Sequence, residues 1–162
     1  MSNNVGTFCP YEKWEIKMED KKDNRPRRLR NCNPGNIILP PKERMDRDKF
    51  NGEIRPSRDV KFRTFVNNAY GYRAMHYTLR RYKRQGINTL KEMIYRWAPP
   101  SVDDNKTEDY VRNVSAWSGI APDQIVDVSN MTIMCRLVAA MSRQENGIPA
   151  DENEVRDGWI LL

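Results

Sequence analysis

The sequence predicts a mostly α-helical domain with a small β-element, which places it in the α+β class. Two observations indicate this class. Apolar residues recur at helical spacing in five segments, and each segment begins at a residue type that caps helices. One segment, residues 60–65, instead alternates apolar with polar residues, as a half-buried strand does. We therefore expect helices to form most of the core.

The first predicted helix is the element around which the chain is organised. Asn67 or Asn68 caps it, because a short side-chain oxygen accepts a backbone N–H that the helix leaves unpaired. Its apolar positions follow helical spacing, and Gly86 ends it because glycine readily adopts the left-handed conformation. We expect the other elements to pack on this helix and the next one.

The second predicted helix has clear signals at both ends. Thr89 and Glu92 form a capping box, in which each side chain accepts a hydrogen bond from the backbone of the other residue. Pro99 and Pro100 stop the helix after Trp97, because the residue before a proline is displaced from the helical region.

Three more helices are predicted toward the C-terminus. Their boundary residues are Asn105 and Gly119 for the third, Ser129 or Asn130 for the fourth, and Asp151 with Glu154, then Trp159, for the last. The fourth helix carries Glu145 at its end, directly before Asn146-Gly147. Glu145 is therefore predicted to lie at a helix terminus.

The remaining segments divide the chain into an arm and one domain. Residues 1–28 are predicted as an N-terminal extension ending in a basic arm, and residues 29–162 as a single domain. Asn33-Pro34-Gly35-Asn36 is predicted as a turn, because proline fixes φ and glycine accepts a positive φ. Residues 39–58 are rich in proline and charge, which predicts a loop.

Composition excludes several classes of protein. The chain has 162 residues and a formal net charge of +6, which implies a negatively charged partner. Its single histidine, His76, argues against Ser-His-Asp chemistry and multi-histidine metal sites, so no metal or cofactor is expected. Three widely spaced cysteines argue against a disulfide framework and a zinc site. No transmembrane segment or secretory signal is predicted, which indicates synthesis in a cytoplasm.

Several motifs within residues 29–158 resemble a family of phage and prophage proteins. They are Asn33–Ile37 (NPGNI), Gly71–Ala74 (GYRA) and Arg96–Pro99 (RWAP). Members of that family are often labelled virion structural proteins and are regarded as lysozyme-like peptidoglycan hydrolases. The chain departs from the pattern at Cys32, where an asparagine is common, and at Phe50-Asn51-Gly52, where a tryptophan usually precedes the glycine. These departures concern the cleft lining rather than the acidic positions.

A second resemblance concerns the end of the fourth helix. Residues 139–147, AAMSRQENG, are similar to the helix end of goose-type lysozymes and soluble lytic transglycosylases, where an alanine-rich helix ends in a catalytic glutamate. In those proteins the glutamate precedes the β-element and the later helices, whereas here it follows them. The resemblance implies a circularly permuted lysozyme-like fold, which closely spaced termini permit.

The resemblance implies that Glu145 is the general acid of glycosidic bond cleavage. Burial in a partly apolar cleft would keep such a carboxyl protonated near neutral pH. A hydrolase also needs a second carboxylate, for which Asp59 is the first candidate and Glu53 the second. A lytic transglycosylase needs none, because the 6-hydroxyl of the sugar attacks. The alternative is that all three are ordinary surface or loop charges.

Seven residues are candidates for substrate binding: Asn33, Asn36, Tyr70, Tyr72, Trp97, Thr107 and Tyr110. The asparagines would bind N-acetyl groups, and the aromatic residues would stack on sugars or desolvate the glutamate. Turn formation alone also explains Asn33 and Asn36, and core packing explains Tyr110 equally well.

The expected function is cleavage of peptidoglycan glycan strands by a phage or phage-derived enzyme, either a muramidase or a lytic transglycosylase. Such a protein would act on the cell wall in the periplasm or reside in a virion. The alternative is a non-catalytic virion protein that binds nucleic acid, cell wall or other virion proteins. Its basic surface would consist of Arg25–Arg30 and Arg80–Arg84, with Tyr77 and Tyr82 interleaved.

Overall fold

A computed structural model describes residues 25–101 and 106–162. It confirms the predicted class, since this part of the chain is mostly helical with one small antiparallel sheet. The helices are α1 (Arg27–Arg30), α2 (Asn68–Arg84), α3 (Leu90–Trp97), α4 (Lys106–Ser118), α5 (Met131–Asn146) and α6 (Glu152–Ile160). The strands are β1 (Glu53–Ile54) and β2 (Thr64–Phe65), and a short 3₁₀ turn spans Lys42–Arg44.

Local capping chemistry determines where α2 and α3 begin, as predicted. The Asn67 side chain accepts a hydrogen bond from the Tyr70 N–H and caps α2. Both hydrogen bonds of the capping box between Thr89 and Glu92 are present at α3. Gly86 follows α2 with a φ of +81°, in the left-handed region.

The later helix boundaries also agree with the sequence where the structure describes them. Asn130, rather than Ser129, caps α5, and its side chain accepts a hydrogen bond from the Ile133 N–H. Asp151 caps α6. The predicted cap of α4, Asn105, lies outside the described residues.

The core lies where α2 packs on α6 and where α4 packs on α5. Its fully buried side chains come from all four of these helices and from α3, and they include Met75, Leu79, Ile94, Val114, Leu137 and Met141. His76 is buried among them, and its Nε2 lies 3.0 Å from the carbonyl oxygen of Val155. Burial lowers the pKa of His76 to about 4, so this histidine is a neutral core residue at neutral pH.

The sheet is smaller than the predicted strand at residues 60–65. Only Thr64–Phe65 pairs with β1, in the register Glu53 opposite Phe65. Val60 is 95% exposed, so the start of the segment is not half-buried. The segment starts with a turn, in which the Asp59 carboxylate accepts hydrogen bonds from the N–H groups of Lys61 and Phe62. After this turn, the backbone of residues 61–63 pairs with residues 37–39 rather than with β1.

The predicted boundary between arm and domain at residues 28 and 29 falls inside a helix. The short helix α1 (Arg27–Arg30) lies against the body, with Arg27 bonded to Asp59 and Arg28 near Glu145. The predicted extension therefore includes residues that contact the domain, whereas residues 1–24 lie outside the described part.

The two described cysteines differ in their bonding. Cys32 is disulfide-bonded, whereas Cys135 is a free cysteine. A single disulfide is not the framework of several bonds that the cysteine spacing argues against. No helix within residues 25–101 and 106–162 is long and apolar enough to cross a membrane.

Candidate functional site

The turn at Asn33–Asn36 is pressed against α2 and the end of α3. A Cβ atom at Gly71 of α2 would lie 2.2 Å from the carbonyl oxygen of Cys32, which no side chain can tolerate. A Cβ atom at Gly35 would lie 2.7 Å from Met75 and 2.9 Å from Trp97. Glycine at both positions therefore allows the turn backbone to approach the helices closely.

The end of α5 is attached to the same turn. The Asn146 side-chain amide donates hydrogen bonds to the carbonyl oxygens of Pro34, at 2.9 Å, and Ser142, at 2.8 Å. Ser142 also bonds the buried hydroxyl of Tyr72 at 3.1 Å. These bonds bring two motifs separated by more than a hundred residues together and place Glu145 beside the turn.

Glu145 lies where α3, α4, α5 and the turn meet. Its Oε1 accepts hydrogen bonds from Trp97 Nε1, at 3.4 Å, and from the Tyr110 hydroxyl, at 3.2 Å. Asn36, which has a φ of +52°, also hydrogen-bonds the carboxylate. The Arg28 Nε lies 3.8 Å from Oε2. Four residues from separate parts of the chain thus fix the position of one carboxylate.

Burial dominates the electrostatics of this carboxylate. The Glu145 side chain is only 14% exposed, and desolvation raises its pKa. Arg28, Tyr110, Trp97 and Asn36 act in the opposite direction, because each favours the charged form, but they do not cancel the effect of burial. Glu145 therefore holds its proton to a higher pH than an ordinary glutamate.

Tyr110 serves Glu145 as a hydrogen-bond donor. Burial raises the pKa of Tyr110 well above its usual value, and the neighbouring Glu145 carboxylate raises it further. The phenol consequently stays protonated at every pH at which the protein would work, so its O–H remains available to the carboxylate.

A cavity of about 500 Å³ opens beside Glu145. It lies between the segment after α3, the outer face of α4 and the end of α5. The lining residues are Ala98, Pro99, Lys106, Thr107, Asp109, Tyr110, Asn113, Gln144 and Glu145. Three residues predicted from the sequence, Glu145, Thr107 and Tyr110, are therefore brought together here. The Thr107 hydroxyl donates to the Ala98 carbonyl oxygen at 2.8 Å, so that side chain also ties α4 to the end of α3.

The structure does not bring Asp59 to this cavity. Its carboxylate accepts hydrogen bonds from Arg27 and Asn31 as well as from the backbone. Partial burial raises the pKa of Asp59, but these donors outweigh it, and the net pKa lies far below the usual range. Asp59 is thus held as a permanent anion in a structural turn.

Glu53 is likewise held by other partners. Its side chain is fully buried, forms ion pairs with Arg63 and Arg55, and accepts a hydrogen bond from the Phe50 N–H. It does not line the cavity beside Glu145. Neither of the two predicted partner carboxylates therefore shares a site with Glu145.

The other candidate substrate-binding residues divide between the site and its scaffold. Asn36 and Trp97 contact Glu145, as described above. Asn33 is fully buried and donates to the carbonyl oxygens of Ile37 and Arg63, at 2.9 and 3.0 Å, so it holds the turn. Tyr72 is a core residue, and Tyr70 packs its ring against Gly52.

Sequence reasoning missed several residues around Glu145. Arg28 falls within the predicted arm, although it approaches the carboxylate. Lys106, Asp109 and Asn113 of α4 line the cavity together with Tyr110. Their spacing of three and four residues could have revealed this polar face, because such positions are neighbours on a helix surface.

Comparison with known proteins gives no assignment. No protein-family model matches the chain, and no curated protein matches it significantly. Within the described residues, no group of three or more histidine, cysteine, aspartate or glutamate side chains is arranged to hold a metal ion.

Proposed function

We propose that this protein cleaves the glycan strands of peptidoglycan, with Glu145 as the general acid. The observation that carries the proposal is a desolvated glutamate, fixed by Trp97 and Tyr110, at the edge of a cavity of about 500 Å³. A general acid works best when its pKa lies near the working pH, and burial moves the pKa of Glu145 in that direction. The motif resemblance supplies the choice of substrate.

The hydrogen bonds indicate how the carboxyl group would work. Trp97 and Tyr110 both donate to Oε1, so Oε2 is the oxygen that carries the transferable proton. Donation of that proton to the bridging oxygen releases one sugar as an alcohol and leaves Glu145 as an anion. Arg28, 3.8 Å from Oε2, then stabilises this anion.

The second half of the reaction distinguishes two enzyme classes. In a lytic transglycosylase, the ionised Glu145 takes a proton from the 6-hydroxyl, whose oxygen attacks the anomeric carbon and forms an anhydro ring. In an inverting hydrolase, a second carboxylate activates water instead. Asp59 and Glu53 both form ion pairs with arginines, so neither is available as that second carboxylate. This favours the transglycosylase route.

A hydrolase remains the second candidate because of one residue. Asp109 lines the same cavity as Glu145, and its side chain is 53% exposed. It pairs with Arg112 at 2.9 Å, on the same helix. A solvent-exposed carboxylate that lines this cavity is suited to act as a base toward water.

The test is mass spectrometry of fragments that wild type, Glu145→Gln and Asp109→Asn release from purified peptidoglycan. Glu152→Gln is the matched control, since Glu152 is an exposed glutamate on α6. We expect anhydro-sugar ends from wild type, Asp109→Asn and Glu152→Gln, and none from Glu145→Gln. Reducing ends that disappear in Asp109→Asn would establish the hydrolase. Equal release by wild type and Glu145→Gln would contradict the assignment of Glu145.

A further inference from the structure

A second cavity, of about 610 Å³, lies on another part of the surface. Five basic side chains line it, and we call it the basic groove: Arg44, Arg47, Lys49, Arg73 and Arg81. It shares no lining residue with the cavity beside Glu145. Three of the five residues come from the loop before β1 and two from α2, so the groove forms only when these segments fold together.

In the part of the chain that the structure describes, no carboxylate forms a salt bridge with the five basic side chains of the groove. Asp48 is the acidic residue in its lining, and Asp48 Oδ1 is already paired with Arg63 at 2.9 Å. Within residues 25–101 and 106–162, Arg44, Lys49 and Arg81 form no salt bridge. Like charges gathered in a cleft create a strong local potential for anions.

One side chain of the groove, that of Arg73, is held in a fixed position by the rest of the fold. Arg73 is only 8% exposed, and its Nε donates to the carbonyl oxygen of Leu161 at 3.0 Å. Arg81 follows two helical turns later, about 12 Å along the axis of α2. Guanidinium groups suit phosphate recognition, because their planar N–H donors match two phosphate oxygens. Two such groups at this separation suit an extended anion rather than a single small one.

Aromatic rings accompany the charges. Phe50 and Tyr77 both line the groove and pack edge to face, with ring centroids 5.9 Å apart. Tyr77 stays 37% exposed, although Arg73 and Arg84 approach its ring. A groove that combines positive charge with exposed aromatic surface is typical of proteins that bind single-stranded nucleic acid. A polymer of glycerol phosphate would make no use of the rings.

We propose that the basic groove binds the phosphodiester backbone of single-stranded nucleic acid, with a base beside Tyr77. The proposal stands independently of cleavage at Glu145, because the two cavities have different linings. The groove contains only part of the predicted basic surface. Arg27 and Arg28 face carboxylates instead. Of the second predicted cluster, Arg81 lines the groove together with Tyr77, and the loop before β1 supplies three of the five charges.

The experiment measures fluorescence anisotropy of a labelled oligothymidine over a range of salt concentrations. The groove variant is Arg44→Gln/Arg47→Gln/Arg81→Gln, in which all three side chains are exposed. The matched control is Lys61→Gln/Arg96→Gln/Arg156→Gln, which removes the same charge from exposed positions outside the groove. Both variants should fold, and circular dichroism and thermal melting would verify this.

We expect the groove variant to bind at least about tenfold more weakly at low salt, with a log–log salt slope smaller by about 2, or about 0.7 for each lost contact. The control should keep nearly the wild-type slope. Tyr77→Leu should weaken binding by about tenfold with an unchanged slope, since stacking releases no counterions.

Three results would overturn the proposal. The first is equal weakening by the groove variant and the control, which would mean attraction by net charge alone. The second is no binding of oligothymidine by wild type at low salt. The third is tighter, groove-dependent binding of polyglycerol phosphate that oligothymidine does not displace, which would assign the groove to a wall polymer.

Discussion

Two regions of the molecule hold buried carboxylates with different kinds of hydrogen-bond donor. One surrounds Glu145, and the other surrounds Glu53 and Asp59. Glu145 receives neutral donors, Trp97 and Tyr110, and the Arg28 guanidinium beside it is 3.8 Å away. Glu53 and Asp59 receive arginines at direct hydrogen-bond distance, together with backbone N–H groups. In one region a buried carboxyl group is held mainly by neutral donors, and in the other two carboxylates are paired directly with arginines.

The difference lies in the donors rather than in the depth of burial. Glu53 is more deeply buried than Glu145, yet its charge is balanced by ion pairs with Arg55 and Arg63. A buried carboxylate is thus a poor indicator of catalysis unless its partners are also known. The first region carries the proposed chemistry, and the second ties the loop before β1 to the sheet.

The strongest test of the comparison is the activity of Glu145→Gln. Loss of a general acid typically reduces rates by about 10²–10⁴-fold, and we expect a loss in that range for peptidoglycan cleavage. Glutamine keeps the acceptor for Trp97 and Tyr110, so folding should persist, as near-ultraviolet circular dichroism would report. Activity within tenfold of wild type would remove Glu145 from the mechanism.

The next largest effect is expected on stability, from Glu53→Gln. The change leaves Arg63, which is 4% exposed, without one of its carboxylates, and breaking a buried ion pair costs about 3 kcal/mol. Urea unfolding would measure it. Glu43→Gln, at an exposed position in the 3₁₀ turn, is the control and should lie within about 0.5 kcal/mol of wild type. Similar midpoints for the two variants would mean that the Glu53 network contributes little.

A smaller, pH-dependent effect is expected for Asp59. Its lowered pKa means that the anion stabilises the fold fully above the ordinary value of 3.8, and that this stability is lost as the pH falls below it. Asp59→Asn should therefore cost about 2 kcal/mol at neutral pH and much less in acid. Thermal melting at both pH values measures this. If Asp59→Asn lowers the stability equally at both pH values, the charge of Asp59 does not stabilise the fold.

A still smaller effect concerns Arg28 and the pH profile of cleavage. Arg28 lowers the pKa of Glu145, so Arg28→Gln should raise that pKa and move the alkaline limb of activity to higher pH. The rate at slightly acidic pH should change by less than about fivefold, and added salt should shrink the shift, because Arg28 is 37% exposed. Arg156→Gln should leave the profile in place. A shift toward lower pH would contradict the geometry.

The smallest expected effect is a gain in stability on replacing Glu145. Burial raises its pKa, so the folded state binds this proton more tightly than the unfolded state, and stability falls as the pH rises above the ordinary value of 4.5. Glu145→Gln should then melt slightly higher than wild type at neutral pH, with no difference in acid. Asp59→Asn should instead melt at a lower temperature than wild type at neutral pH. A change in melting temperature in the same direction for both variants would contradict the comparison.

The helices were predictable because their signals are local. Asn67, Thr89, Asn130 and Asp151 cap helices through hydrogen bonds to residues two or three positions away, which the sequence displays directly. The strand at residues 60–65 was predicted too long, because the Asp59 turn depends on Arg27 and Asn31, some thirty residues away.

The candidate site was predictable only in part. A helix ending in Glu145 and the asparagine turn were both visible in the sequence, and the structure joins them through Asn146 and the Pro34 carbonyl oxygen. Asp59 and Glu53 are acidic residues near a predicted strand, and nothing in the local sequence reveals that arginines pair with them. Asp109 is not among the predicted residues, although its spacing from Lys106 and Asn113, three and four positions, indicates a shared polar face of α4.

The sequence by itself determined the helices, their ends and the position of Glu145 at a terminus, because capping and periodicity act over a few residues. Only the tertiary structure decided which carboxylates are paired, which arginines form the basic groove and which aromatic residues reach Glu145. The physical reason is that desolvation and charge pairing depend on neighbours in space, and Pro34 and Asn146 become neighbours only when the chain has folded.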